Sequence, residues 1–291
     1  TIQQLQPVVD NRDPLNIYVG NPQLRPGYNH RVNLNFTTFD PAKFINLFAF
    51  VTATYTTNAI SMAQSISPEL IRLTRPVNVK DNLLINANLN FGFPIRKLKS
   101  RINVGPTLSQ AEAINLLNDQ ENRTSSQTMG GTLRYNFNWN DIFNLDLSGN
   151  LSRQQTTYDF NANLNQEYLN ETYTAESNVT IKKLYQLAGS FEYLVYNSRT
   201  TDFSQAIPLL NLSVSRFILK NNAGELKVGV NNLLDRNLSV IQTATANYLQ
   251  QQKTNNLGRY FMVSFTYALN KQLNPMGAGR RGGGMRMMVR P

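Results

Sequence analysis

The chain has 291 residues, 41% hydrophobic and 16% charged, a balance that suits an ordered polypeptide and excludes disorder throughout. It contains no cysteine, which rules out disulfide frameworks, zinc-cysteine sites and thiol catalysis. No run of about 18 apolar residues occurs, so no membrane-crossing helix is encoded; barrel strands, which alternate, escape that test.

In chain order, the first stretch is "TIQQLQPVVDN", with no initiator Met, basic n-region or apolar h-region. We expect a mature chain or, better, a fragment of a longer one, and read residues 1–27 as a loop or connector. Alternation of apolar and polar side chains, the mark of a strand with one apolar face, begins at residues 32–37 and 45–56. In "NLLINANLNFGF" Leu83, Ile85, Ala87, Leu89, Phe91 and Phe93 share one parity, against Asn86, Asn88, Asn90 and Gly92. Residues 102–108 follow, then "MGGTLRYNFNW", with Leu133, Tyr135, Phe137 and Trp139 facing away from Thr132, Arg134, Asn136 and Asn138. In "DIFNLDLSGNLSRQQTTYDF" Phe143, Leu145, Leu147 and Leu151 oppose Asn144, Asp146, Ser148 and Asn150. A weaker segment surrounds Val179, and residues 187–196, 210–215 and 226–231 precede the last strand, "YFMVSFTYAL". The count is about eleven strands over 28–270, with no long helix.

Tight links are expected at "FDPAK" (39–43), "PIRKLK" (94–99), "NWND" (138–141), "KKLY" (182–185) and "NNAG" (221–224), and longer loops at 58–69, 111–124, 159–170, 200–206 and 235–257. Short turns at one end and long loops at the other are the pattern of an outer-membrane barrel. The polar parity points the same way: it is Asn, Ser, Thr and Gly, not the Lys and Glu of a soluble sandwich face. Trp139, Tyr135 and Phe137 sit where an interfacial aromatic girdle would lie, although a shielded aromatic cluster in a soluble core accounts for them equally well. Loop sorting tips the balance to the membrane.

Catalytic and nucleic-acid readings find little support. His30 is the only histidine, so a multi-histidine metal site is unavailable, and it shares the parity of Val32 and Leu34. Asp146, Arg134, Glu192 and Lys227, on the polar parity, read as partners of one another or of a plug. We expect no enzyme, cofactor or metal. The formal net charge is +10, and half of it lies in residues 271–291, a Gly- and Arg-rich tail with one "RGG" and no interleaved aromatics. A periplasmic tail touching acidic partners or phospholipid headgroups is favoured over RNA binding. The basic turn "IRKLKSR" (95–101) is read as a solvated charged turn.

Two stretches carry a family resemblance. "DPLNIYVGNPQLRPGYNHRVNLNF" (13–36) resembles the GNP-x-L-x-P-E-x-S segment that opens a mid-barrel strand in TonB-dependent outer-membrane receptors, matching at Gly20, Asn21, Pro22, Leu24 and Pro26. Gly27 replaces the usual acid and Asn29 the common Ser. "GELKVGVNNLLDRNLSVIQTATANYLQQQKTNNLGRYFMVSFTYAL" (224–269) resembles the same family's ending, a V-x-N-L-F-D-x-x-Y strand end, a long loop, then G-R and the closing strand. Val230, Asn232, Leu233, Asp235, Gly258 and Arg259 match, whereas Leu234 stands for Phe and Leu238 for Tyr. Asn232 and Asp235 suit side-chain turns where a strand leaves its sheet.

The resemblance implies an all-β, antiparallel transmembrane β-barrel in a Gram-negative outer membrane, with roughly 22 strands around a plug. Eleven strands are half of that, so the chain is expected to be the C-terminal half of a receptor wall without its plug. The implied function is active uptake of a scarce ligand, a siderophore, cobalamin, glycan or peptide, powered by the TonB energy-transducing complex acting through the missing plug. The alternatives are a non-energised barrel, a porin or adhesin, and a soluble all-β binding module. Implied partners are outer-membrane lipid and an unknown small ligand, whose binding residues are not legible, and not nucleic acid.

Overall fold

The structure is a computed structural model that describes residues 1–268 except 11, 141, 161, 201–202, 237, 245–248 and 256. The predicted Gly/Arg-rich tail, 271–291, lies outside the described residues.

A one-turn helix α1 (Ile2–Leu5) and two short strands, β1 (Val9–Asp10) and β2 (Asn16–Val19), precede the long strands. Then come β3 (Tyr28–Asp40), β4 (Ile45–Ile66), β5 (Arg72–Ile95), β6 (Ser100–Leu117), β7 (Gln120–Trp139) and β8 (Phe143–Tyr158). After them run β9 (Gln166–Ile181), β10 (Tyr185–Ser198), β11 (Ser204–Ile218), β12 (Gly224–Asn231), the hairpin β13 (Leu238–Ala244) and β14 (Leu249–Asn255), and β15 (Tyr260–Tyr267). From β3 to β12, each strand pairs antiparallel with the next, and β15 closes onto β12.

Among the described residues the main sheet has 13 strands, against the expected count of about eleven. The two extra strands are β1 and β2, inside the stretch read as a connector; at two and four residues they are too short to show alternation. β2 pairs parallel with the far end of β5, Asn16 opposite Arg72. β13 and β14 form a separate two-stranded sheet within the long loop before β15.

The register confirms that the alternating residues share one face. Leu34, Val51, Ala87 and Leu108 stand side by side, and so do Tyr135, Leu147, Ala175 and Phe191 farther along. Leu212, Val230 and Phe261 complete the row at the far edge. Phe39, Phe48 and Phe50 are exceptions on the polar face of β3 and β4. The apolar face stays exposed: Leu34 is 62%, Leu133 55% and Val263 69% accessible, so among the described residues no second layer covers it.

The expected sorting of loops by length is overturned in part. Residues 58–69 and 111–124 are mostly strand: β4, β5, β6 and β7 run for 22, 24, 18 and 20 residues. Their connection is a two-residue turn at Asn118 and Asp119, both at positive φ, for β6 to β7, and residues 67–71 for β4 to β5. What differs between the two ends is how far the strands continue past the apolar band, where apolar and polar side chains no longer alternate.

Between its halves the β4–β5 hairpin turns over. In the lower half β5 lies between β4 and β6, whereas at the far end Ala63 and Gln64 of β4 pair with Leu116 and Leu117 of β6, and β5 faces β2. Asn58, at φ 52, marks the crossing, and two-stranded ribbons tolerate the strong twist. A small core of Ala59, Val79 and Ile114, with Val77 and Leu116 against it, seals the crossing.

Candidate functional site: two clamps and a charged margin

The first motif straps the N-terminal segment to the crossed hairpin. Gly20 is buried, and a Cβ there would lie 2.1 Å from the Gln6 carbonyl oxygen, so only glycine lets α1 and its following turn close over it. The Asn21 backbone N–H donates to Gln4 O (2.7 Å), its Nδ2 donates to Pro76 O (3.0 Å), and its Oδ1 accepts from the Gln23 N–H (3.0 Å). Leu24 is half-buried and Pro22 is exposed. Pro26 O accepts from Asn58 Nδ2 at 2.8 Å, while Asn78 Oδ1 accepts from the Arg25 N–H and its Nδ2 donates to Arg25 O, both at 2.8 Å.

Sequence alone does not single out Asn58, Pro76 and Asn78; their roles arise from the crossing, which no local pattern announces. Pro76 in mid-strand was the one available signal, since proline is tolerated only where its nitrogen need not donate. Gly27 has its own reason for replacing an acid: a Cβ would come 3.0 Å from Asn58 O.

The second motif clamps the base of the loop between β12 and β15. Asn232, 8% accessible and at φ 52, donates through Nδ2 to Arg236 O (2.7 Å) and Leu257 O (3.2 Å), and its Oδ1 accepts from the Arg236 N–H (3.0 Å). Its own N–H donates to Asn211 Oδ1 on β11 (2.8 Å), and the Leu233 N–H donates to Leu210 O. Asp235 Oδ1 accepts from the Arg259 N–H at 2.7 Å, and a Cβ on Gly258 would meet that same oxygen at 2.7 Å. Both ends of a loop of over twenty residues are thus held by two side chains. The two motifs lie at the same end of the sheet, remote from the short turns, one on β5 and one beside β11 and β12; the structure does not bring them together.

On the polar face near the short turns, amides form a belt across the strands. Asn46 bonds to Asn90 and to Arg101, Asn103 to Asn136, and Asn136 to Asp146, with Gly92 leaving room in the middle. Arg101 also donates to Phe44 O (3.1 Å). Among the described residues no ion pair joins Asp146, Arg134, Glu192 and Lys227, so the expectation that they pair with one another is not met. His30 stands opposite Tyr55 on the apolar-face register. No group of three or more His, Asp or Glu among the described residues is placed to hold a metal.

On the other face, a charged margin marks where the apolar band stops. Arg123 bridges Asp81 (3.0 Å) and Glu112 (3.3 Å), with the Tyr55 O–H donating to Asp81 Oδ2. Farther along, Glu167 takes Arg153 (2.9 Å) and Arg199 (3.7 Å), and the Arg153 guanidinium holds its carboxyl below the usual range. Asp81 and Arg153 carry the same parity as the apolar row, one step beyond Leu83 and Leu151, and Glu112 and Arg123 stand farther out on that parity, past Leu108 and Met129. An open cleft of about 350 Å³ lies beside β1 and β2, lined by Gln3, Gln6, Val8, Asp10, Arg12 and Tyr18 among others.

No curated protein matches the chain. An exposed apolar face of alternating residues, bounded by turns below and charges above, is the outside of a membrane wall. In agreement, the sequence model of the outer membrane protein beta-barrel family matches residues 1–267, so the chain belongs to that family and to the outer membrane.

Proposed function

We propose that this chain forms part of the wall of a TonB-dependent receptor, which takes up a scarce ligand when an inner-membrane complex pulls on a plug held inside the barrel. The carrying observation is the pair of unpaired sheet edges. Among the described residues β3 pairs only with β4 and β15 only with β12, and nearly every residue of both strands is exposed. Their free N–H and C=O groups lie at the depth of the apolar band, where hydrocarbon offers no partner. The wall therefore needs further strands, and an eleven-strand ladder plus as many again gives the roughly 22-strand barrel that has room for a plug. The resemblance of both clamps to TonB-dependent receptor motifs supports the same reading. On it the chain performs no catalysis and holds no cofactor; its work is containment, with siderophore, cobalamin, glycan and peptide as the candidate ligand classes.

The test uses the full-length protein in two assays. A strain lacking its gene is grown with iron, cobalamin, glycan or peptide limiting, beside a strain lacking the TonB protein and one lacking both. We expect one limitation to slow growth, with no added defect in the double mutant. In parallel, purified protein in liposomes should not admit small sugars. Rapid sugar entry together with TonB-independent growth would identify a passive porin and reject the proposal.

A further inference from the structure

The short turns share a composition that the wall itself does not require. Lys43 adjoins Phe44, Arg96, Lys97 and Lys99 surround Leu98, Lys182 and Lys183 precede Leu184, and Lys220 follows Leu219. All of these side chains are exposed, with Phe44 and Leu98 each 56% and Leu219 58% accessible. The fifth turn has the exposed Trp139 and Ile142 around Asn140, with Asp141 in its sequence. Asp40 pairs with Lys43 at 3.9 Å, and among the described residues no ion pair engages Lys97, Lys182, Lys183 or Lys220. At the opposite end the arginines of the charged margin are matched by carboxylates.

Backbone geometry adds a second, independent observation. Lys182 and Lys183 form the tip of a tight hairpin at φ 50 and 56, and Lys99 sits at φ 48. Such positions ordinarily take Asn and Gly, because a Cβ is strained in the left-handed region. Lysine is therefore kept at these tips against local backbone preference, as strained residues at functional sites are.

Depth fixes what the lysines meet. The apolar row runs from Phe93 to Leu83 on β5 and from Phe143 to Leu151 on β8, starting directly at the turns. A tilted strand crosses the hydrocarbon in about 9–11 residues, so the turns lie at the headgroup level of one leaflet. Apolar tips beside lysines then have the arrangement of interfacial anchors, the tip among acyl chains and the ammonium at the phosphates.

We propose that the short-turn rim is a docking surface for anionic phospholipid headgroups, recruiting phosphatidylglycerol-type lipid to that leaflet around the wall. The inference rests on membership of the outer-membrane family and is independent of the uptake reading.

Trp139, the only tryptophan of this sequence and 51% accessible at that rim, is a built-in reporter. The full-length protein is reconstituted in equimolar phosphatidylethanolamine and phosphatidylglycerol, with brominated acyl chains on one lipid at a time. The Trp139 signal is isolated by subtracting that of the Trp139→Phe protein. Brominated phosphatidylglycerol should quench roughly twofold more than brominated phosphatidylethanolamine. The ratio should fall toward one in a variant carrying Lys97→Gln, Lys99→Gln, Lys182→Asn and Lys183→Gly. The last two changes install preferred turn residues and so protect folding while removing charge. Arg75→Gln with Lys80→Gln, at the opposite end, should leave the ratio unchanged. A ratio of one in the unaltered protein, a preference that survives loss of the lysines, or an equal loss in the control pair would overturn the proposal. No quenching by either lipid would overturn the placement of the turns at the membrane, and the proposal with it.

Discussion

At the scale of single residues, Asn232 shows how one amide can hold a loop. Its two donors and one acceptor are all engaged, two of the bonds crossing to Arg236 and the third to Leu257. Asn232→Ala removes these bonds at a buried site and should cost about 1–3 kcal/mol, spent on opening the loop base. Asn232→Asp keeps the acceptor but turns a carboxylate oxygen toward the Arg236 and Leu257 carbonyls, so it should be at least as damaging at neutral pH. Surface proteolysis of residues 235–257 in folded protein is the measurement; an aspartate variant as resistant as the native protein would refute the clamp. This residue was legible because its spacing to Asp235, Gly258 and Arg259 is a motif with a local mechanism. Asn58 and Asn78 were not, since an asparagine acquires such a role only from the chain that crosses it.

At the scale of elements, legibility followed alternation. The segments of β5, β7 and β8 within the apolar band were read correctly because one face is wet and the other is not. Continuations such as residues 111–117 of β6 and 120–124 of β7 carry no alternation, the first mixing apolar and polar side chains on both faces and the second polar throughout, so the sequence reads there as loop. The structure has them paired without interruption up to the Asn118–Asp119 turn, Leu117 opposite Gln120. Amide exchange should therefore be slow for 111–117 and 120–126, comparable with the band; rapid exchange there would restore the loop reading. Asn118→Val, placing a β-branched residue at φ 50, should cost about 1–2 kcal/mol and speed exchange from the turn downward.

At the scale of the whole molecule, the two faces make a test that a soluble sheet would fail. Spin labels at Leu145, Leu147 and Leu151 in the full-length protein should collide with a lipid-soluble quencher, and labels at Asn144, Ser148 and Asn150 with a water-soluble one. Protection of the leucines from both would mean a dry protein interior. The same geometry predicts unequal outcomes one residue apart. Leu147→Arg exposes a guanidinium to hydrocarbon at about 2–4 kcal/mol, whereas Ser148→Arg keeps it on the polar face at little cost. Which residues share a face could be read from parity alone, whereas the expectation of half a wall, and with it two open edges, came only through the family resemblance, because pairing partners leave no trace within a strand's own sequence.

The crossed hairpin also dictates an order of assembly. Every antiparallel pairing in the ladder from β3 to β12 joins strands adjacent in the chain, so each can zip onto the last with a short search. The parallel contacts of Asn16 with Arg72 and of Ala63 with Leu116 join segments more than fifty residues apart, and both need the hairpin already turned over. They must close last. A newly inserted wall thus passes through a stage in which its strands are complete but the N-terminal strap is still undone, and the final event of folding takes place at the end of the sheet farthest from the short turns.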